Sequence, residues 1–329
     1  MITSIIESIA LQKDFIEIQK FDFEYDNENE LLLFFKPEVF FSEKEYSEKI
    51  IEMTFEKLAN CNAKISGIAM LNGDFIKQYE IMDRHYGFIN KISKNASTII
   101  TSEETEKIKT LLEIENINEY KILGGHEFLD YFKNQTLETL GQFWFSKPCV
   151  KIRSGFYAIT CEIEGQKVIL VNGFHPSQLA HFQNKNHKIV VALAHTNTDW
   201  NILKNEMIGN TFPEKAIPNS VRGELFINKT KYGATQVSAN YNFVHLSAGP
   251  FEALFEINNF LSCFPNEKFN LEDTNVAQKI IQKNIIIETI HKIISNPVND
   301  INGKNTDLFT YTEEMNTTQA INSFQKFYC

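Results

Sequence analysis

The run NELLLFFKPEVFF, Asn29 to Phe41, restricts the fold more than any other stretch of the chain. Its apolar residues stop at a Lys-Pro pair, which predicts a buried strand ending in a turn. The next segment, SEKIIEMTFEKLANC, spaces Ile50, Ile51, Met53, Phe55 and Leu58 on one helical face. AKISGIAML then reads as a strand and GDFIKQYEIMDRHYG as a helix. Up to residue 86 the pattern is therefore βαβα.

The region from 87 to 173 is less regular. SEETEKIKTLLEI opens on a capping-box pattern at Ser102, and HEFLDYFKNQTLETLGQFWF reads as one amphipathic helix. FYAITCEI and KVILVNG, split by EGQ, read as a β-hairpin. Beyond it, HPSQLAHFQ is a short helix and KIVVALAH a central strand of small and β-branched residues. TDWNILKNEMIG is a helix closed by Gly209, TQVSANYNFVHL a late strand and PFEALFEINNFLSCF the helix after it. NVAQKIIQKNIIIETIHKIIS predicts one strong amphipathic helix over 275–294, whose apolar face suits either its own domain or a second subunit.

Bulk properties exclude several classes. The net charge of −10 argues against a binder of duplex nucleic acid, which needs a basic face to neutralise phosphates. Five scattered cysteines form no CxxC pair, so neither a zinc site nor a disulfide framework is suggested, and reduced cytoplasmic thiols are expected. The first residues, MITSIIESIALQKDF, do not read as a signal peptide, and no run reaches the length of a membrane span. With no Walker A and no GxGxxG sequence, any phosphate chemistry must use scattered side chains.

His245, in NFVHLSAGPFEALFEINNF, is the first such side chain. A lone histidine between apolar neighbours is commonly structural. Here Asn242, Ser247, Glu252 and Glu256 surround it in sequence, and a carboxylate on one imidazole nitrogen would leave the other as a nucleophile. Lys36 ends a buried strand, where an ammonium is costly unless it reaches a partner or an open site. Arg222, in NSVRGE, offers a planar fork for phosphate oxygens or is merely an exposed loop residue. Tyr86 could bond a neighbouring imidazole or simply pack.

Taken in order, LLFFKPEVF, IMDRHYG, VVALAHTNTDWNILKNEMIGNTFPEKAIPNSVRGE and NFVHLSAGPFEALFEINNF resemble the nucleoside diphosphate kinases. The likeness covers 31–86 and 174–262, and several spaced motifs agree in order. It implies an α/β (α+β) fold, a ferredoxin-like βαββαβ sandwich with an antiparallel sheet. It leaves an N-terminal extension (1–30), an inserted α/β subdomain (87–173) and a C-terminal helical extension (263–329). It implies His245 as the nucleophile that becomes phosphohistidine, with Glu256 orienting its ring and Ser247 supporting that carboxylate. Lys36 would stabilise the transferring phosphoryl group and Tyr86 would hydrogen-bond near it. Arg222 and Thr211 would grip nucleotide phosphates, and Asn242 would contact the sugar and phosphate region. ATP would be the donor. Mg²⁺ would bridge phosphate oxygens with few or no protein ligands, so no residue is assigned as a metal ligand. The partners implied are a nucleotide or another small phosphate acceptor and further copies of the chain.

The departures lie near the base and acceptor. A phosphate-binding arginine of the family falls at Asn205, and on an α-helix the adjacent Lys204 would point elsewhere. The usual aspartate after Ser247 is Ala248, and the base-stacking aromatic falls near Ser177 or His181. The 87–173 insertion stands where the family has a short helical segment. Three readings follow: the ordinary kinase reaction, the same phosphohistidine chemistry with a specialised acceptor, and a nucleotide-binding regulatory module that no longer turns over.

Overall fold

The computed structural model describes residues 1–329 except Ser154, Asn266, Glu267, Asn284, Ile287 and Cys329. The chain forms two compact units, one of Met1–Tyr79 with Asn184–Cys329 and one of Glu80–Gln183. The described residues form eleven strands: β1 (Phe15–Gln19), β2 (Asn29–Phe35), β3 (Lys64–Asn72), β4 (Tyr120–Gly124), β5 (Val150–Arg153), β6 (Phe156–Ile163), β7 (Gln166–Val171), β8 (Lys188–Thr196), β9 (Val244–Leu246), β10 (Val298–Ile301) and β11 (Lys304–Asp307). The architecture is mixed α/β, with sheets built mainly of antiparallel pairs.

The first unit holds a five-stranded sheet in the order β1-β3-β8-β2-β9, every neighbour antiparallel. β8 sits at its centre, as KIVVALAH predicts. All seven residues of β2 are buried, because both faces of the strand are covered. Leu31, Leu33 and Phe35 pack on one side with Ile50, Ile51, Phe55 and Leu58 of the Lys44–Asn60 helix. On the other side Phe34 meets Phe260 of the Pro250–Leu261 helix, ring centroids 5.7 Å apart. Each such fully buried side chain contributes about 1.5–3 kcal/mol from its apolar area. The 1–30 extension joins this sheet: the apolar alternation in FIEIQ makes β1 an edge strand on β3.

Several elements differ from expectation. GDFIKQYEIMDRHYG divides into helices Gly73–Gln78 and Ile81–His85, because Glu80 takes a left-handed φ of 49°. The late strand is only β9, since Phe243 immediately before it has φ 65° and cannot continue a ladder. TDWNILKNEMIG is a short helix, Trp200–Ile202, followed by a π-turn over Leu203–Ile208. The 275–294 stretch is two helices, Asn275–Gln282 and Glu288–Ile294; Asn284 and Ile287 between them lie outside the described residues. Their apolar faces pack within the unit. Val276, Ile280, Ile290 and Ile293 form one core with Phe251 and Leu254 of the Pro250–Leu261 helix and with Ile321 and Phe324. The C-terminal extension is not wholly helical either, as β10 and β11 form a hairpin in it.

The second unit carries a four-stranded sheet, order β4-β7-β6-β5, in which only β4 and β7 run parallel. The predicted hairpin is β6–β7. The capping box belongs to Thr101 with Glu104 rather than to Ser102. HEFLDYFKNQTLETLGQFWF breaks into Gly125–Tyr131 and Leu137–Phe145, because the Thr136 side chain caps a new helix by accepting from Thr139 N–H. No helix among the described residues is long and apolar enough to cross a membrane.

Candidate active site

The site grows from the end of β2. The last β2 residue pairs with Val244 of β9, and the chain then leaves the sheet at Lys36, whose N–H donates to Phe243 O at 2.8 Å. Pro37 follows and starts a short 3₁₀ turn. The next residue, Glu38, is buried and accepts from Phe243 N–H at 3.1 Å. These bonds fix the approach to β9 and hold Phe243 in its left-handed conformation.

On β9, His245 lies opposite Phe34, with the two rings stacked 4.4 Å apart. Its Nε2 is 2.7 Å from Oε1 of Glu256, which is fully buried one helix later. The other carboxylate oxygen, Oε2, is 2.5 Å from Ser247 Oγ. Ser247 Oγ also accepts from Leu32 N–H at 3.2 Å and lies 3.0 Å from Leu32 O. A hydroxyl has one proton, and the shorter contact to an ionised acceptor takes it. Strand β2 thus holds the serine, the serine holds the carboxylate, and the carboxylate holds the imidazole. Because Glu256 accepts at Nε2, that nitrogen carries the hydrogen and Nδ1 carries the lone pair. Burial, followed by the charges of Lys36, Arg222 and Lys204, pushes the His245 pKa well below its ordinary value. The ring is therefore neutral at physiological pH, the form a nucleophile requires.

Two buried cations stand beside it. Arg222 comes from the Val221–Ile227 helix, capped by Ser220. Its Nη1 donates to Gly209 O and its Nη2 to Val244 O, both at 3.0 Å, while Nε has no hydrogen-bond partner among the described residues. Lys36 is buried as well, and the charge of Glu38 offsets part of the cost of burying its ammonium. Asn242 donates to Ala239 O at 3.2 Å and reaches Thr211 O at 3.5 Å, and its buried Oδ1 has no hydrogen-bond partner among the described residues. Buried polar groups left unsatisfied in one place are costly, and they suit a polar ligand that would complete them.

The first unit therefore gathers His245, Glu256, Ser247, Lys36, Arg222, Asn242 and Thr211. Tyr86 belongs to the second unit, where its ring packs edge-on against His175 at 5.6 Å and near Phe182 at 6.1 Å.

Three further residues bear on the site. Lys204 lies close enough for its charge to act on His245, contrary to the expectation that it points elsewhere. Lys204 lies in the π-turn: Gly209 N–H donates to Lys204 O at 3.0 Å, five residues back, so the segment holds one residue more than an α-turn and an α-helical count does not apply to it. Glu252 accepts from Ala248 N–H at 2.7 Å, and burial and then the Glu256 charge push its carboxyl up to about 8. Glu38 was legible only as the residue after Pro37.

Two expectations follow here. Burial lowers the Lys36 ammonium from 10.5 to about 8, with Glu38 opposing and Arg222 adding to the shift. A lysine neutral above that pH grips phosphate poorly. Any nucleotide kcat/KM is therefore expected to fall above about pH 8, and the limb to vanish in Lys36→Met. The stability sign is opposite: between about 8 and 10.5 the unfolded chain holds a proton that the folded chain has lost, so this group's contribution to stability rises with pH across that window. Secondly, Gly209 has φ 87°, and an added Cβ would lie 2.2 Å from Ser220 Oγ. Gly209→Ala is expected to cost about 2–4 kcal/mol through backbone strain and overpacking, read as a lowered urea midpoint.

No protein-family model matches the chain, and no curated protein matches its sequence. Among solved structures, the chain is similar to a nucleoside diphosphate kinase from Encephalitozoon cuniculi, with 11% identity, coverage of 74% of this chain and 95% of that one, and a TM-score of 0.34. It is also similar to an NDP kinase from Pyrobaculum aerophilum, with 16% identity, coverage of 70% and 94%, and a TM-score of 0.32.

Proposed function

We propose that this chain is a phosphotransferase that takes the γ-phosphate of a nucleoside triphosphate onto His245 and passes it to a nucleoside diphosphate. The observation that carries the reading is the Leu32–Ser247–Glu256–His245 relay beside two buried cations. It supplies a neutral imidazole of fixed tautomer, with positive charge where a phosphoryl group would develop negative charge.

In the first half-reaction Nδ1 of His245 attacks the γ-phosphorus, and the bond from that phosphorus to the β–γ bridging oxygen breaks. The diphosphate leaves with the electron pair, and the Nε2 hydrogen stays on the ring, shared with Glu256. Lys36 and Arg222 Nε would meet the transferring and adjacent phosphate oxygens. In the second half-reaction a diphosphate oxygen attacks the phosphohistidine and restores the neutral ring, giving ping-pong kinetics. Mg²⁺ fits as a nucleotide-borne ion, because Glu38, Glu252 and Glu256 already accept hydrogen bonds from protein donors. When bound it would neutralise phosphate charge. Thr211 and Asn242 would face the nucleotide.

The antiparallel order β9-β2-β8-β3 supports reading this core as a ferredoxin-like βαββαβ sandwich, with 87–173 an inserted subdomain. Asn205, Ala248 and that insertion favour a second reading, in which the same phosphohistidine serves a specialised phosphate acceptor. Incubation with γ-labelled ATP and Mg²⁺ tests the chemistry: acid-labile label on the wild-type chain is expected. A chain that takes up no such label is not a phosphohistidine kinase. Screening acceptors against the labelled protein separates the two readings.

A further inference from the structure

The polar groups around His245 include a contact made by the far end of the chain. Glu313 and Glu314 follow the short Leu308–Thr312 helix. Glu314 has φ 65°, and its N–H donates to Ala248 O at 3.0 Å. Gly249 makes room for this approach: an added Cβ there would stand 2.9 Å from Thr312 O. The segment is also tied by side chains. Asn201 Nδ2 donates to Glu314 Oε2 at 2.9 Å, and Asn316 Nδ2 donates to Asp199 Oδ1 at 2.6 Å.

This docking puts two carboxylates on Lys204. Its Nζ is ion-paired with Glu313, and Glu314 Oε1 lies 3.9 Å away. The same ammonium acts on His245 together with Lys36 and Arg222. It also acts on Glu252, and the Glu314–Ala248 bond places its ion-pair partners beside the residue that follows Ser247. Burial lowers its affinity for a proton, while Glu314 and Glu252 offset part of that loss. The Lys204 side chain is 23% exposed and that of Glu313 43%, so the pair is open to exchange with a dissolved anion.

We propose that Lys204 is a phosphate-binding side chain of this site, and that Glu313 and Glu314 compete with the incoming phosphates for it. The inference rests on the phosphotransferase reading for its ligand. The C-terminal segment would act as an internal carboxylate stand-in. It keeps Lys204 compensated when the site is empty and yields it when a polyphosphate arrives. The chemistry is an exchange of ion-pair partners, and no covalent bond is made or broken.

The test is calorimetric binding of pyrophosphate and of ADP, neither of which carries a γ-phosphate. Glu313→Gln with Glu314→Gln is expected to tighten both about fivefold, since a partly exposed ion pair is worth about that factor. Lys204→Met is expected to weaken both about tenfold, because it removes a phosphate contact, and Lys204→Arg to restore most of it. In the Lys204→Met background the double glutamine change should have no effect, as coupled partners require. Equal tightening with and without Lys204 would overturn the proposal. So would wild-type affinity in a folded Lys204→Met protein, or a wild-type chain that binds no pyrophosphate. Intact pyrophosphate coupling with no acid-labile label would instead count against the histidine chemistry alone.

Discussion

His245→Ala is expected to remove acid-labile label from the protein and to lower any nucleoside diphosphate kinase turnover by at least about 10⁴-fold, the scale on which a nucleophile is missed. The ring is only partly buried and belongs to a strand of only three residues, so the alanine protein should stay folded. The stability effect has a sign of its own. The wild-type ring is neutral well below pH 6.5, whereas in the unfolded chain it takes a proton there. The native state therefore loses stability as pH falls below 6.5, and His245→Ala should flatten part of that acid limb. An alanine protein that still carries acid-labile label would place the phosphate elsewhere and sink the mechanism.

Glu256 gives the second large effect, and two substitutions divide it. In Glu256→Gln the amide oxygen can still accept from His245 Nε2, while the amide NH₂ donates to Ser247 Oγ. Ser247 then turns its proton to Leu32 O, which already lies 3.0 Å away. The imidazole N–H and the Ser247 hydroxyl keep acceptors and the tautomer survives, so the main loss is the negative charge. A fall of about 10–100-fold in labelling rate is expected, the usual cost of removing such an outer partner. Glu256→Ala removes orientation as well, and leaves the imidazole N–H without its acceptor, while Ser247 can still turn to Leu32 O. Here about 10³-fold in rate is expected, with about 2–4 kcal/mol of stability lost through unsatisfied groups and a cavity. Single-turnover labelling and urea unfolding measure the two losses. Equal rates for glutamine and alanine would mean that Glu256 does not set the ring's tautomer.

The parts of this site legible in the sequence are those fixed by local geometry. Lys36 stands out because a strand of seven buried residues ends against a proline. His245 and Glu256 stand out because a strand, a Gly-Pro break and a helix lie between them. Arg222 sits just after a Ser cap in a Pro-containing loop. What was not legible depends on distant contacts or on one-residue shifts. Lys204 lies in a π-turn, to which an α-helical count does not apply. Glu314 reaches Ala248 across the whole C-terminal extension, and no periodicity records that pairing. Thr136 divided a helix because a cap outweighed an amphipathic pattern that ran past it. Strand β1 gives a weak signal, because four half-buried residues and an exposed Gln19 at a sheet edge carry little pattern.

That edge has a consequence for self-association. An antiparallel sheet commonly recruits a second copy through an open, flat outer strand. Here one border is β1, whose pairing slips between Glu17 and Gln19, and the other is β9, three residues long. A bulged strand and a stub are poor templates for continuing a ladder. Any association of copies of this protein would therefore join side-chain surfaces and leave the hydrogen-bonded sheet the property of one chain.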